Sequence, residues 1–245
     1  MTHAPGYPAA LQRLTPDGWL LFATRFIRLF AYGSLSVVLV FYLIGIGLSA
    51  SQTGLLLTLT LVGDTVVSLG LTTRADRVGR RRLLVVGALL MVAAGLVFAF
   101  TASLILLTVA GTIGVISPSG NEVGPFLPIE QAALSQVVPS RTRTDVFAWY
   151  ALCGSIATAL GALSGGILTE ALQRTAVTPV SSYRSVVILY AALGVLLALL
   201  FTRLSPAAEA RPSGVAAASS TLAARFGLLH PNQQGDSRAD SGARP

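Results

Sequence analysis

Long apolar runs alternate with short arginine-rich clusters along this chain. No charged residue occurs in 29–63, 83–121, 146–169 or 185–202. A helix needs only about 20 predominantly apolar residues to cross a bilayer, so runs of this kind predict spanning helices. Dividing them at small, polar turn residues gives six such helices, at 19–46, 53–73, 83–100, 104–126, 145–169 and 183–203. GIGLSASQTG makes the first break and FTAS a later one on the same side. The expected fold class is all-α, a polytopic membrane protein with six transmembrane helices. Residues 1–18 form a cytoplasmic N-terminal segment, 19–203 the bundle, and 204–245 a disordered cytoplasmic tail or linker rich in Ala, Ser, Gly and Pro.

Composition narrows the class further. Only 11% of residues are charged against 53% hydrophobic, whereas soluble domains carry roughly 25% charge. The net charge of +7 would suit a nucleic-acid partner, but all 17 cationic residues are arginines and most flank the apolar runs. Membrane anchoring explains that placement and nucleic acid does not. In the six-helix reading one face of the membrane receives all the arginines except Arg174 and Arg184. That face is the cytoplasmic one, so both termini are cytoplasmic. The N-terminus lacks a charged segment followed by a short apolar run and cleavage site, so no signal peptide is expected. A lone cysteine, Cys153, rules out an intramolecular disulfide, and no spacing of His or Cys suggests a metal or cofactor.

The loop between the second and third helices reads RADRVGRRR. It resembles the signature of the major facilitator superfamily, which runs Gly, three residues, Asp-Arg, one residue, Gly-Arg, then Arg or Lys. Asp76, Arg77, Gly79, Arg80 and Arg81 match it, and Thr72 stands where the family has its first glycine. A glycine at 79 suits a tight turn and the arginines resist translocation. The plainer reading is a basic loop without a gating role. In the fifth helix GALSGG, residues 161–166, resembles the glycine-rich motif of proton-coupled antiporters in that superfamily, with Ala162 in place of a proline. Gly161, Gly165 and Gly166 equally suit close helix packing without any antiport meaning.

Polar groups inside the spans are the candidates for chemistry, because an ionised carboxylate at the centre of a membrane helix costs roughly 2.5–3.5 kcal/mol. Asp64 falls about 16 Å into a span of about 30 Å. It either carries a coupling proton or is a structural carboxylate. The fourth helix contains SPSGNEVGPFLP, and irregular backbone at membrane depth is tolerated where it lines a watery cavity. Asn121 and Glu122 are therefore the first candidates for solute or proton contact. If that helix ends early, Glu122 is a cytoplasmic-edge carboxylate facing Arg141 or Arg143. Glu130 and Gln131 are placed at that edge. Arg25 and Arg28 are expected to snorkel to the headgroups, with one of them able to pair with an acid in the bundle. Trp19, Tyr42, Trp149 and Tyr183 are assigned to the interfacial belt.

The resemblance implies the N-terminal half of a twelve-helix transporter, built from two three-helix repeats with helices one and four lining a cavity. It implies alternating-access movement of a small solute without covalent chemistry, with proton-coupled efflux as one mode. Asp76 and the arginines after it would stabilise one access state. The expected partners are the lipid bilayer, the solute, protons, and a second six-helix half or a homodimer partner. The expected location is a plasma membrane, the inner membrane in bacteria. The alternative is a transport-inactive, truncated half or structural partner. An intramembrane enzyme is disfavoured, since the sequence contains neither HExxH nor GxSxG.

Overall fold

The computed structural model of the chain describes residues 14–114, 116 and 126–205, apart from the side chains of residues 74–77. Every regular element among them is helical. In chain order these are α1 (Pro16–Gly45), α2 (Ala50–Val78), α3 (Arg80–Phe100), α4 (Leu104–Ile113), α5 (Phe126–Val137), α6 (Arg143–Arg174) and α7 (Pro179–Phe201). A single turn of 3-10 helix at Ser140–Thr142 precedes α6. Five of the helices, α1, α2, α3, α6 and α7, are long and apolar enough to cross a membrane, and α4 is a shorter apolar helix.

Local sequence sets the ends of these helices. Thr15 caps α1 by accepting from the Gly18 amide at 3.2 Å, and Pro16 supplies a preset φ at the first position. α7 starts the same way, with Thr178 accepting from the Ser181 amide and Pro179 following. One residue, Gly79, separates α2 from α3. Its φ of 103° lies in the region that favours glycine.

The fourth predicted helix, 104–126, differs from the structure. α4 stops at Ile113, and α5 begins at Phe126, where the predicted helix was to end. α5 then runs to Val137, through residues that the sequence pattern places at the cytoplasmic edge. Pro128 does not prevent this. It is the third described residue of α5.

The helices of the first triplet pack on those that follow. α1 lies along α6 and α7, α3 along α7, and α2 along α4. The α1–α6 contact is backbone to backbone. A methyl added at Gly33 would strike Thr158 main chain, one at Gly161 would strike the Phe30 carbonyl, and one at Gly165 would come within 2.7 Å of the Ser34 carbonyl oxygen. Gly166 meets nothing within 4 Å. Asp17, at the start of α1, accepts from the Ser205 amide at 3.1 Å and from its hydroxyl, joining α1 to the residues after α7.

The outer faces are apolar. Leu55, Leu59, Val62, Val66 and Leu69 form an exposed stripe on α2, as do Leu152, Ile156, Leu160, Leu163 and Ile167 on α6. Stripes of this kind would aggregate in water and suit a hydrocarbon surround. Tyr42 departs from its expected interfacial place: it is buried, and its hydroxyl donates to the Phe98 carbonyl at 2.7 Å. A phenol can turn inward when a carbonyl near a helix end is available to it. Trp19 is 52% exposed.

Candidate functional site

The most polar buried place in the bundle lies where α1, α5 and α6 meet. On α1, Leu21, Arg25, Arg28, Tyr32 and Leu35 follow one another at helical spacing and are all buried. Two arginines therefore stand in an otherwise apolar inward stripe. On α5 the buried positions are Phe126, Ile129, Glu130, Ala133 and Leu134, again one face. The two faces bring Arg28 and Glu130 together, with Arg28 Nη2 2.5 Å from Glu130 Oε2 and the side chains 1% and 0% exposed. Tyr150 of α6 donates its hydroxyl to the same oxygen at 2.5 Å. Thr24 lies 3.4 Å from Oε1, but its one proton serves the Leu21 carbonyl at 3.0 Å, so Thr24 is the weaker partner.

Aromatic rings complete the surroundings. The Arg28 guanidinium carbon lies 4.6 Å from the centroid of Phe126, and that of Arg25 lies 4.3 Å from the centroid of Tyr150. Phe22 meets the Tyr150 ring edge-on at 5.1 Å. Gly154 makes the room for Arg25, since a β-carbon there would be 2.7 Å from Arg25 Nε.

Two further arginines hold α5 by its main chain. Arg80 Nη1 donates to the Ala132 carbonyl at 3.1 Å, and Arg143 Nη2 to the Ser135 carbonyl at 2.8 Å. The Ser135 carbonyl is among the last four of α5, which have no intrahelical donor, so a cation suits it on two counts. Arg80 belongs to the signature loop, so that loop is tied directly to the helix that carries Glu130.

Three sequence expectations change here. Arg25 and Arg28 do not snorkel: both are buried, and the ion pair with Glu130 accounts for Arg28. Glu130 is not at the cytoplasmic edge but inside the bundle, because α5 turns it inward with Ile129 and Ala133. The signal was available in sequence. Phe126, Ile129, Glu130, Ala133 and Leu134 keep helical spacing, and the acid interrupts an apolar stripe just as Arg28 does on α1.

Asp64 is 1% exposed on the inner face of α2, and among the described residues neither of its oxygens has a hydrogen-bond partner. Beside it Gly63 packs on Thr112 of α4. Asp64 does not join the Arg28–Glu130 cluster. Asn121, Glu122 and the side chains of Asp76 and Arg77 lie outside the described residues. Arg81 is half-buried, next to Arg80.

The comparisons with known proteins agree with this architecture. The profile of the Major Facilitator Superfamily matches residues 21–234. The chain belongs to the Major Facilitator Superfamily. An uncharacterized membrane protein of Saccharomyces cerevisiae is 44% identical over 174 residues, which cover 70% of this chain and 39% of the yeast protein. Among solved structures the crystal structure of a D-xylose-proton symporter superposes with a TM-score of 0.62 at 16% identity, covering 87% of this chain and 53% of the symporter chain. That likeness concerns the fold. The chain spans about half, or less, of the length of these two relatives. As a superfamily member of matching topology it is a membrane protein with a half-transporter fold, and its signature loop sits between α2 and α3.

Proposed function

We propose that the bundle is one half of an alternating-access carrier that moves a small solute across the membrane with protons, the other half coming from a second six-helix bundle or a second copy of this chain. The observation that carries the reading is the Arg28–Glu130–Tyr150 cluster. Ionised side chains inside a lipid-embedded bundle are costly and mark solute, ion or proton pathways far more often than they stabilise. The symporter with the same fold gives proton coupling its support. Asp64, Asn121 and Glu122 are assigned to the solute and proton pathway. Asp76, Arg77, Gly79, Arg80 and Arg81 are assigned to gating, and the contact from Arg80 to α5 supports a mechanical link from that loop to the charged cluster. Gly161 and Gly165 keep α1 and α6 in register, and Gly166 is left for a partner surface. Both termini face the cytoplasm, with residues 204–245 serving as tail or linker.

The test is solute-evoked proton movement. Membrane vesicles containing the inserted full chain, loaded with a pH-sensitive dye, are challenged with a panel of sugars, organic acids and amines. A pH change evoked by one class, and lost in Asp64→Asn at equal insertion, is the expected result. Vesicles that respond to none of the panel, alone or with the partner half co-expressed, would sink the carrier reading.

A further inference from the structure

Glu130 sits as a bound carboxylate would sit. One oxygen receives a guanidinium N–H from Arg28 and a phenolic O–H from Tyr150, each at 2.5 Å. Charged and phenolic donors converging on one oxygen serve any carboxylate equally well. Their surroundings are the rings of Phe22, Phe126 and Tyr150. Building on the carrier reading, we infer that Arg28 and Tyr150 form the recognition site for a small carboxylate-bearing solute, and that Glu130 fills this site while the solute is absent.

The helices that supply the two sides differ in a way that permits the exchange. Both donors stand on long spanning helices, α1 and α6, which touch backbone to backbone at Gly33, Gly161 and Gly165. The acceptor stands on α5, which is described from Phe126 and follows Pro118, Gly120, Gly124 and Pro125 in the sequence. Replacing one carboxylate by another preserves the charge and both strong hydrogen bonds, so the exchange avoids the large penalty of stranding Arg28. The displaced Glu130 would itself be a lone carboxylate among apolar groups, so it takes up a proton from the side open to water. One anion and one proton then cross together, with no net charge moved. Among the described residues, Arg28 from α1 and Tyr150 from α6 contact Glu130, and Arg25 from α1 lies over the Tyr150 ring. Arg80 from α3 and Arg143 from α6 are engaged with α5 carbonyls, and Asp64 is buried on α2.

Benzoate is the probe, with benzamide as its uncharged counterpart, on the full chain in lipid nanodiscs. The chain's two tryptophans flank the site and report occupancy by their emission: Trp19 lies 6.0 Å from the Phe22 ring, and Trp149 precedes Tyr150. Glu130→Gln is expected to bind benzoate about tenfold or more tightly than the unaltered chain, because the internal competitor has lost its charge. Adding Arg28→Gln to that variant should abolish binding, and benzamide should bind to neither. Benzoate should also raise the unfolding temperature of Glu130→Gln and leave the double variant unmoved. Folded Glu130→Gln with unimproved benzoate affinity, or equal binding of benzamide, would overturn the inference. Should Glu130→Gln fail to fold, Tyr150→Phe keeps the ion pair and is expected to weaken benzoate binding several-fold; unchanged affinity there overturns it too. Benzoate binding without solute-evoked flux in vesicles would sink the carrier reading alone. Flux of neutral solutes by a chain that binds no benzoate would sink this inference alone.

Discussion

Glu130 and Asp64 are both buried carboxylates, on α5 and α2, and their surroundings are opposite. Glu130 has a guanidinium and a phenol on one oxygen, and it ties three helices together. Asp64 is as deeply buried with no hydrogen bond among the described residues. A paired acid is a structural joint whose removal leaves a cation stranded; a solitary one contributes nothing to packing that an amide of the same shape would not. Burial alone therefore does not tell what a carboxylate in this bundle does. Its partners do: Glu130 is held by Arg28 and Tyr150, whereas the Asp64 oxygens have no hydrogen-bond partner among the described residues.

The comparison breaks most visibly if Glu130 is truncated. Glu130→Ala should cost about 3–5 kcal/mol, because it breaks the buried ion pair with Arg28. Thermal or denaturant unfolding of the chain in detergent measures it, and a loss below about 1 kcal/mol would put Glu130 in the same class as Asp64. The seam that carries the donor pair comes next. Gly161→Leu should cost about 1–3 kcal/mol, because its side chain meets the Phe30 main chain, whereas Gly166→Leu has open space before it and should cost well under about 1 kcal/mol. Equal losses would mean that α1 and α6 do not approach at these glycines. Asp64→Asn should also have a small effect on stability, within about 1 kcal/mol of the unaltered chain. Its effect should appear in proton movement instead, and a large unfolding penalty would show that Asp64 has a structural partner after all.

The helical class and five of the spanning helices are legible in the apolar runs alone, because length and hydropathy decide both. RADRVGRRR similarly identifies the family. What stayed hidden depended on partners far apart in sequence. Arg28 and Glu130 are 102 residues apart, and each looks like an edge charge until the other is placed beside it. α5 added to the difficulty, because it runs through Pro128 and past 126, where the apolar pattern ends the fourth helix. Arg80 is singled out by its motif, yet its acceptor is the backbone carbonyl of Ala132, which no side-chain pattern could reveal. Asp64 is found by depth along α2, since that depends on spacing alone. Gly161 and Gly165 are legible as small residues, while their separation from Gly166 depends on which way α6 faces.

The central claim, that Glu130 is joined to Arg28 while Asp64 stands alone, is tested most directly by a double-mutant cycle. Unfolding free energies are measured for Arg28→Met, Glu130→Leu and the double variant in detergent, with Arg28→Met and Asp64→Leu as the parallel cycle. The account predicts that the Arg28/Glu130 double variant is at least as stable as either single one, with a coupling of about 3 kcal/mol, and that the Arg28/Asp64 effects add within about 0.5 kcal/mol. Additive losses at Arg28 and Glu130, or equal coupling in both cycles, would contradict it.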